Sequence, residues 1–325
     1  IYERSITNHR ESLRRLSTKY PGALIAMEVG SHSPWISRFF ISLGHEVIVA
    51  NPRKLRAIYA NTRKSDRKDA CILARLARVD RELLHPIEHG GEEAQRDLLQ
   101  VKLRDNLVSQ RVSVINSVRM TLKSLGIRLP KYCTTAFARR CREQLAGEHA
   151  GVLAMIEPSL DVIDSLNCGI ARFDKTILET CARYSVTSRL MDIRGVGPIT
   201  ALTFVLVIDN PERFTSARNV PAYLGLVPRR DQSGDVDKQL RISKAGNAYL
   251  RRLLVSAAQY LLGPFGTDCD LRRQGLRLAS MGGARAKKKA VVAIARKLAV
   301  LMYTLWQREL EYDPLHLANQ LDEAA

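Results

Sequence analysis

The stretch Ala23-Leu24-Ile25-Ala26-Met27-Glu28-Val29 is an apolar run broken by one carboxylate, with a Pro21-Gly22 turn before it and Gly30 after it. It reads as a buried strand. Ser33 to Leu43 then has helical spacing and stops at Gly44, and His45-Glu46-Val47-Ile48-Val49-Ala50 reads as a second strand ended by Asn51-Pro52. Strand, helix and strand joined by short turns imply a parallel pair with a crossover, so residues 1–88 are expected to form an α/β domain. Upstream, Glu11 to Lys19 suggests a short helix. The chain opens at Ile1 in what reads as the end of a strand, so an N-terminal piece is expected to precede it. Downstream, Arg53 to Lys64 is a basic connector, and Asp66 is placed to cap a helix running through Ala70, Leu73, Leu76 and Ala77.

Beyond that domain the strand signal fades. Leu98, Val101, Leu107, Val108, Val112, Ile115, Val118 and Leu122 recur at helical spacing in a long segment ended by Gly126. A second long segment, Val152 to Cys181, repeats the pattern with Ile156, Leu160, Ile163, Leu166, Ile170, Ile177 and Leu178. Two long amphipathic helices, with a short basic one between them at Arg139, Arg140 and Arg142, suggest a helical hairpin or coiled-coil arm over residues 89–185. Residues 186–325 read as a third, mainly helical unit. In it Arg194-Gly195-Val196-Gly197-Pro198 leads into an apolar helix, Ile199 to Ile208. This is either a helix-hairpin-helix, whose glycines let backbone N–H groups approach a phosphate, or a glycine turn between packed helices. A helix around Ala217 to Leu224, a polar loop from Pro228 to Asp237 and a final amphipathic helix from Ala290 to Trp306 complete the unit, and the tail from Asp313 reads as flexible.

The 325 residues carry 51 Lys+Arg against 33 Asp+Glu, a formal net charge of +18. An excess of that size points to a polyanionic partner, because neutralising phosphates releases counterions. Aromatic residues make up only 6% of the chain, which argues against an extended base-stacking platform and for backbone contact. The six cysteines show no C-x-x-C pair, so zinc is not expected and reduced thiols in a cytosol are. The longest apolar run, Ala290 to Trp306, is interrupted by Arg296 and Lys297, and no membrane span is expected.

The chemistry concentrates in Leu240-Arg241-Ile242-Ser243-Lys244-Ala245-Gly246-Asn247-Ala248-Tyr249-Leu250-Arg251-Arg252. Here one hydroxyl sits between two cations just ahead of a helix. A helix start attracts phosphate, and a serine beside a phosphodiester held by arginines has what phosphoryl transfer to a side chain needs. Alternatively Ser243 or Asn247 caps the helix, and the residues by themselves favour that. Lys287, Lys288 and Lys289 either form a solvated face or extend a phosphate-binding surface. Glu28 is anomalous inside an apolar strand, since an unpaired buried carboxylate is costly. At a strand's carboxyl end it would face the crevice where open α/β sheets bind ligands. Asp66 and Asp69, spaced i, i+3, share a helix face. Carboxylates roughly 4 Å apart repel by about 4 kcal/mol at an effective dielectric of about 20. Three together are tolerable around a cation, and an all-oxygen set suits Mg²⁺. Read separately, Asp66 is a cap and Asp69 a dipole-complementing surface charge.

Several of these stretches match a known family. Met27-Glu28-Val29-Gly30-Ser31, Gly44-His45-Glu46-Val47, Asn51-Pro52 and Lys64-Ser65-Asp66-Arg67-Lys68-Asp69-Ala70 resemble the N-terminal half of the insertion sequence 110 family of transposases. Gly195-Val196-Gly197-Pro198-Ile199-Thr200, Phe214, Leu224-Gly225-Leu226-Val227-Pro228, Ile242-Ser243-Lys244-Ala245-Gly246-Asn247 and Leu250-Arg251 resemble its C-terminal half, in the order and spacing of the group typified by insertion sequence 1111. The resemblance covers nearly the whole chain. It implies a RuvC-like, RNase H-fold domain, a coiled-coil arm, and a transposase domain with a nucleophilic serine. By that resemblance Glu28, Asp66 and Asp69 bind Mg²⁺, and Ser243 attacks DNA to form a phosphoserine intermediate. The family further implies a structured bridge RNA pairing with donor and target DNA, and dimers or tetramers in which one subunit's acids meet another's serine. The chain departs from the pattern twice. It shows three acids of the family's D-E-D-D set, and Asp231 to Leu240 lacks the glycine usual just before Ile-Ser-Lys.

The expectation is thus a Mg²⁺-dependent, RNA-guided recombinase of the bacterial or archaeal cytoplasm. Arg241, Lys244, Arg251, Arg252, Gly195, Gly197, Lys287 and Lys288 are the nucleic-acid-binding candidates. Two rivals stand beside it. One is a Holliday-junction-type nuclease that cuts with metal and water alone, and the other a non-catalytic nucleic-acid-binding relic of a transposase.

Overall fold

The computed structural model describes residues 3–51, 54–55, 65–233, 236–283 and 285–316. The basic connector from Arg53 to Lys64 lies outside them, apart from Lys54 and Leu55, as does the tail beyond His316. The chain forms two compact units, Ile1–Gly90 and Gly91–Ala325.

The first unit runs α1 (Arg10–Lys19), β1 (Leu24–Glu28), α2 (Ser33–Ser42), β2 (Glu46–Ala50) and α3 (Asp66–Val79). Residues 3 to 9 form no strand, so the strand end expected at the start of the chain is absent among the described residues. The strands β1 and β2 are parallel, with Leu24 opposite Glu46 and Glu28 opposite Ala50. This is the crossover that the strand–helix–strand pattern implies. Side chains alternate faces along a strand, and the packing follows that parity. Ile25, Met27 and Val47 meet Leu13, Phe39 and Phe40 on one side. Leu24, Ala26, Ile48 and Ala50 meet Leu73 and Ala77 of α3 on the other. His45 ties the layers together, with Nδ1 3.1 Å from the Ala23 carbonyl and Nε2 2.7 Å from Ser17 Oγ.

The second unit runs α4 (Glu92–Ser124), α5 (Phe137–Leu145), α6 (Ala150–Arg183), α7 (Val186–Met191), α8 (Pro198–Ile208), α9 (Asn219–Tyr223), β3 (Pro228–Ser233), β4 (Val236–Ile242), α10 (Ala248–Leu262), α11 (Asp270–Ser280) and α12 (Ala286–Gln307). The helices α4 and α6 are the expected long antiparallel pair. Arg104 Nε donates to Asp174 at 2.5 Å, and Gln100 Nε2 to Thr180 at 2.8 Å. At the far end Ile115, Val118 and Leu122 pack with Phe137, Leu145, Leu160 and Ile163. There Arg142 fans across Glu157, Asp164 and Asp161 at 2.6, 2.6 and 2.9 Å. The near ends of the pair, with Ala94, Leu98, Val101, Ile177 and Cys181, join the core of the C-terminal helices. The arm and the C-terminal part therefore share one hydrophobic core.

Helix α8 lies at the centre of that core, with every residue from Thr200 to Ile208 buried. Apolar on all sides, it has no polar face to present to water. Helix α12 is long and apolar enough to cross a membrane by length and composition, yet Ile294, Ala295, Leu298, Ala299, Met302 and Tyr303 are buried in the same core. The polar loop expected from Pro228 to Asp237 is instead an antiparallel hairpin, with Pro228 opposite Ile242 and a register shift between Pro228 and Arg230.

Candidate functional site

The hydroxyl region is built from two chain segments that lie backbone against backbone. One is the end of α9 with Leu224, Gly225, Leu226 and Val227. The other is the turn from Ser243 to Asn247 between β4 and α10. Ser243 N–H donates to the Val227 carbonyl at 2.8 Å, and Lys244 N–H to the Gly225 carbonyl at 3.1 Å. The close approach leaves no room for side chains. A Cβ on Gly246 would sit 2.0 Å from the Tyr223 oxygen, and one on Gly225 2.3 Å from Ala245 backbone atoms. Gly225 and Gly246 have φ of +70° and +68°. Lys244 itself is left-handed, at φ 54°, where a non-glycine residue is strained.

Ser243 does not cap the helix that follows. The N-cap of α10 is Asn247, whose side chain accepts from Leu250 N–H at 3.0 Å. Among the described residues the Ser243 hydroxyl receives a long contact, 3.4 Å, from Ala245 N–H. Ser243 is half-buried, with Arg241 and Lys244 exposed on either side. Of the two roles read from the sequence, capping belongs to Asn247.

The two arginines of α10 are engaged within the protein. Arg251 Nη1 donates to the Leu224 carbonyl at 2.9 Å and the Ala245 carbonyl at 2.6 Å. Arg252 pairs with Asp105 of α4 and lies over the Tyr249 ring, 4.9 Å from its centre. Both arginines, expected to bind nucleic acid, thus also make internal contacts, and Arg241 and Lys244 are exposed beside the serine. The helix-hairpin-helix candidate has the expected layout, α7, a turn and α8. Gly195 is at φ +86° and its open side faces Ala257 and Tyr260 of α10, 3.1 Å from where a Cβ would be. That is the packing of a tight turn. Gly197 has open space around it and is the N-cap of α8. Lys287, Lys288 and Lys289 are exposed in the first turn of α12. Cations there oppose the helix dipole, so an anion at this end would relieve both.

In the first unit, alternation along β1 puts Glu28 on the face of Leu24 and Ala26, the face against which α3 packs. Ser65 caps α3, accepting from Lys68 N–H at 3.4 Å, so Asp66 is the first helical residue and not the cap. Asp66 is exposed. Asp69 is 8% exposed. It is therefore not the surface charge that local spacing allows. Glu28, Asp66 and Asp69 are hard oxygen donors on neighbouring elements, the donor type that suits Mg²⁺. However, no three His, Cys, Asp or Glu side chains among the described residues close into a metal-sized group. All six cysteines are free thiols.

Beside the carboxyl ends of β1 and β2 the structure adds His89, a residue that the sequence pattern did not mark. Its Nε2 is 2.9 Å from Ser33 Oγ, and Ser33 Oγ also accepts from Gly30 N–H at 3.0 Å. Burial first, and the Arg38 charge second, push the His89 imidazole below its ordinary pKa.

The chain resembles known proteins along almost its whole length. A family profile described as "Transposase IS116/IS110/IS902 family" matches residues 187–265, and one for the DEDD transposases of IS110 type matches residues 1–127. The transposase for insertion sequence element IS1111A of Coxiella burnetii is 28% identical over 90% of this chain and 79% of its own length. A probable family 20 transposase of Pseudomonas aeruginosa is 27% identical over 94% and 90%. The pilin gene-inverting protein of Moraxella lacunata is 26% identical over 89% and 81%.

Proposed function

Because the chain belongs to the IS110/IS116 family of insertion-sequence transposases, we propose that it cuts and rejoins DNA strands with Ser243 as the nucleophile. The observation that carries this reading is the Ser243 turn. Its hydroxyl is released from capping by Asn247, stands just before the left-handed Lys244, and lies between exposed Arg241 and Lys244. Ser243 Oγ attacks a backbone phosphorus, an Oγ–P bond forms, and the bond to the departing strand's oxygen breaks. The serine's proton leaves, and the departing oxygen gains one. Attack by a 3′- or 5′-hydroxyl of another strand then reverses the step and frees the serine. Arg241 and Lys244 neutralise the non-bridging oxygens as charge builds on them.

Glu28, Asp66 and Asp69 would hold Mg²⁺, which when bound supplies Lewis-acid stabilisation of the charge on the scissile phosphate. The burial of Asp69 on α3, which packs against the β1 face that carries Glu28, supports that assignment. The first unit is RuvC-like, and the acids of one subunit serve the serine of another in a dimer or tetramer. A structured guide RNA selects both DNA partners, in keeping with a charge of +18 and few aromatics. Base pairing then reads the sequence while the protein holds backbones. The printed name of the Moraxella lacunata relative, a pilin gene-inverting protein, accords with cutting and rejoining of DNA.

The test is a denaturing gel on element-end DNA with Mg²⁺ and the co-purifying RNA. The wild-type chain should give a protein–DNA adduct whose phosphate maps to the Ser243 peptide, and Ser243→Ala should give none. The buried Asp69 also suits a nuclease that uses metal and water alone. Chelator-sensitive cleavage surviving in Ser243→Ala would favour that second reading.

A further inference from the structure

We propose that Arg251 is the positioning residue of the nucleophile. It is a brace that holds the Ser243 turn against the Leu224–Val227 segment, and not a clamp on DNA. This rests on the reading of Ser243 as the attacking group. One guanidinium nitrogen of Arg251 donates to two carbonyls on opposite sides of the turn. Leu224 lies in the segment that receives Ser243 and Lys244 N–H, and Ala245 lies two residues beyond the serine. These bonds close a small frame. Val227 and Gly225 carbonyls hold the turn from the Ser243 side, and Arg251 holds it from the Ala245 side.

The frame has work to do because the turn is strained. Lys244 sits at φ 54° without being glycine, a conformation that persists only where the surroundings over-determine it. A carbonyl bonded to a charged donor is the stronger kind of hydrogen bond. Two such bonds to one anchor oppose relaxation of Lys244 to ordinary backbone, which would swing the Ser243 oxygen away. Arg251 is on the first turn of α10, whose Leu250, Leu254, Ala257, Ala258 and Leu261 are buried in the main core. The serine is thereby referenced to the main core of the unit, although the strand just before it, β4, belongs to a two-stranded hairpin.

Arg251→Ala and Arg251→Lys are compared with wild type by single-turnover adduct formation, DNA affinity across salt, and thermal unfolding of the full chain. Displacement of a reacting group by about 1 Å costs about a hundredfold in rate. Arg251→Ala should therefore form the Ser243 adduct about a hundredfold more slowly. Arg251→Lys, able to reach one carbonyl, should lose about tenfold. DNA affinity and the salt dependence of binding should stay within about twofold of wild type. A role as phosphate clamp predicts the opposite split, weaker binding and a salt slope lower by about one, and that result overturns the proposal. Wild-type adduct rates in either folded variant overturn it as well. So does loss of the folded state in both variants, which makes Arg251 a purely structural residue. If the wild-type chain forms no serine adduct at all, the reading of Ser243 has failed, and that outcome differs from every result on Arg251.

Discussion

Replacing Ser243 and Asn247 one at a time separates the chemical role of this turn from its structural role. Asn247 accepts from Leu250 N–H at 3.0 Å as the N-cap of α10. Its replacement by alanine leaves that donor unsatisfied, at a cost of about 1 kcal/mol. Gly91–Ala325 is a large unit, and for domains of that size about 1 kcal/mol moves the midpoint by about 2–4 °C. Ser243 makes one 3.4 Å contact with Ala245 N–H at a half-buried position. An ordinary intramolecular hydrogen bond contributes about 0.5–1.5 kcal/mol, and one this long falls at or below the lower end. Ser243→Ala should thus shift the midpoint by less than about 2 °C while abolishing the adduct. Asn247→Ala should melt earlier and still form it. Scanning calorimetry and the adduct gel on the same preparations read both quantities. The reasoning is refuted if Ser243→Ala loses as much stability as Asn247→Ala and continues to cleave, because the serine would then be a structural hydroxyl.

Three further outcomes follow from the same geometry. Gly246→Ala puts a Cβ 2.0 Å from the Tyr223 oxygen at φ +68°, so backbone must move. The loss should exceed about 2 kcal/mol in a denaturant titration, and a loss under about 0.5 kcal/mol would contradict the backbone-on-backbone packing. Lys287→Gln with Lys288→Gln should lower the salt slope of duplex binding by nearly two, about 0.9 for each phosphate no longer neutralised, whereas Arg252→Gln, held by Asp105 and Tyr249, should leave it unchanged. His89 titrates below its ordinary 6.5 in the folded chain. Between the two values the unfolded chain binds the proton and the folded chain does not, so stability rises with pH there. That contribution is fully present above about pH 6.5 and fades as pH falls towards the folded value. The midpoint of wild type should drop on acidification more than that of His89→Gln, and parallel curves would remove His89 from the account.

Fold legibility tracked how strongly burial imprints a period on the residues. The strands around Ile25 and Val47 are half-buried or buried on packed faces, and α8 is buried on every side, so both left unbroken apolar runs. The long helices α4 and α6 left theirs every third or fourth residue. The β3–β4 hairpin left none. Arg229, Arg230, Asp231 and Gln232 are polar in succession, and a run without apolar residues has no alternation to show. The cap of α3 was misplaced by one residue because Ser65 and Asp66 are both good caps, and only the side-chain bond to Lys68 N–H decides between them. Shared cores are equally silent in sequence. Nothing in the spacing of Leu98 or Ile177 says that the arm's base and the C-terminal helices are one hydrophobic body.

The site was legible in its residue types and not in its pairings. Ser243, Arg241 and Lys244 stand together in sequence, so their juxtaposition is local. What Arg251 and Arg252 do depends on Leu224 and on Asp105, the second of which lies 147 residues away. In a chain with this much positive charge, an arginine beside a serine is read as a phosphate ligand by default. The other end of α10 argues against that default. Arg272 donates to the Gly263 carbonyl at 2.7 Å and to that of Leu261, bracing the helix's last turn much as Arg251 braces the turn before its first. A guanidinium has five donors in a rigid fork, suited to gathering carbonyls that a helix end or a strained turn leaves unpaired. The excess of cations in this protein therefore serves two ends. Arg251 and Arg272 hold its turns together, and in the proposed function exposed ones such as Arg241, Lys244 and Lys287 to Lys289 meet a nucleic-acid backbone.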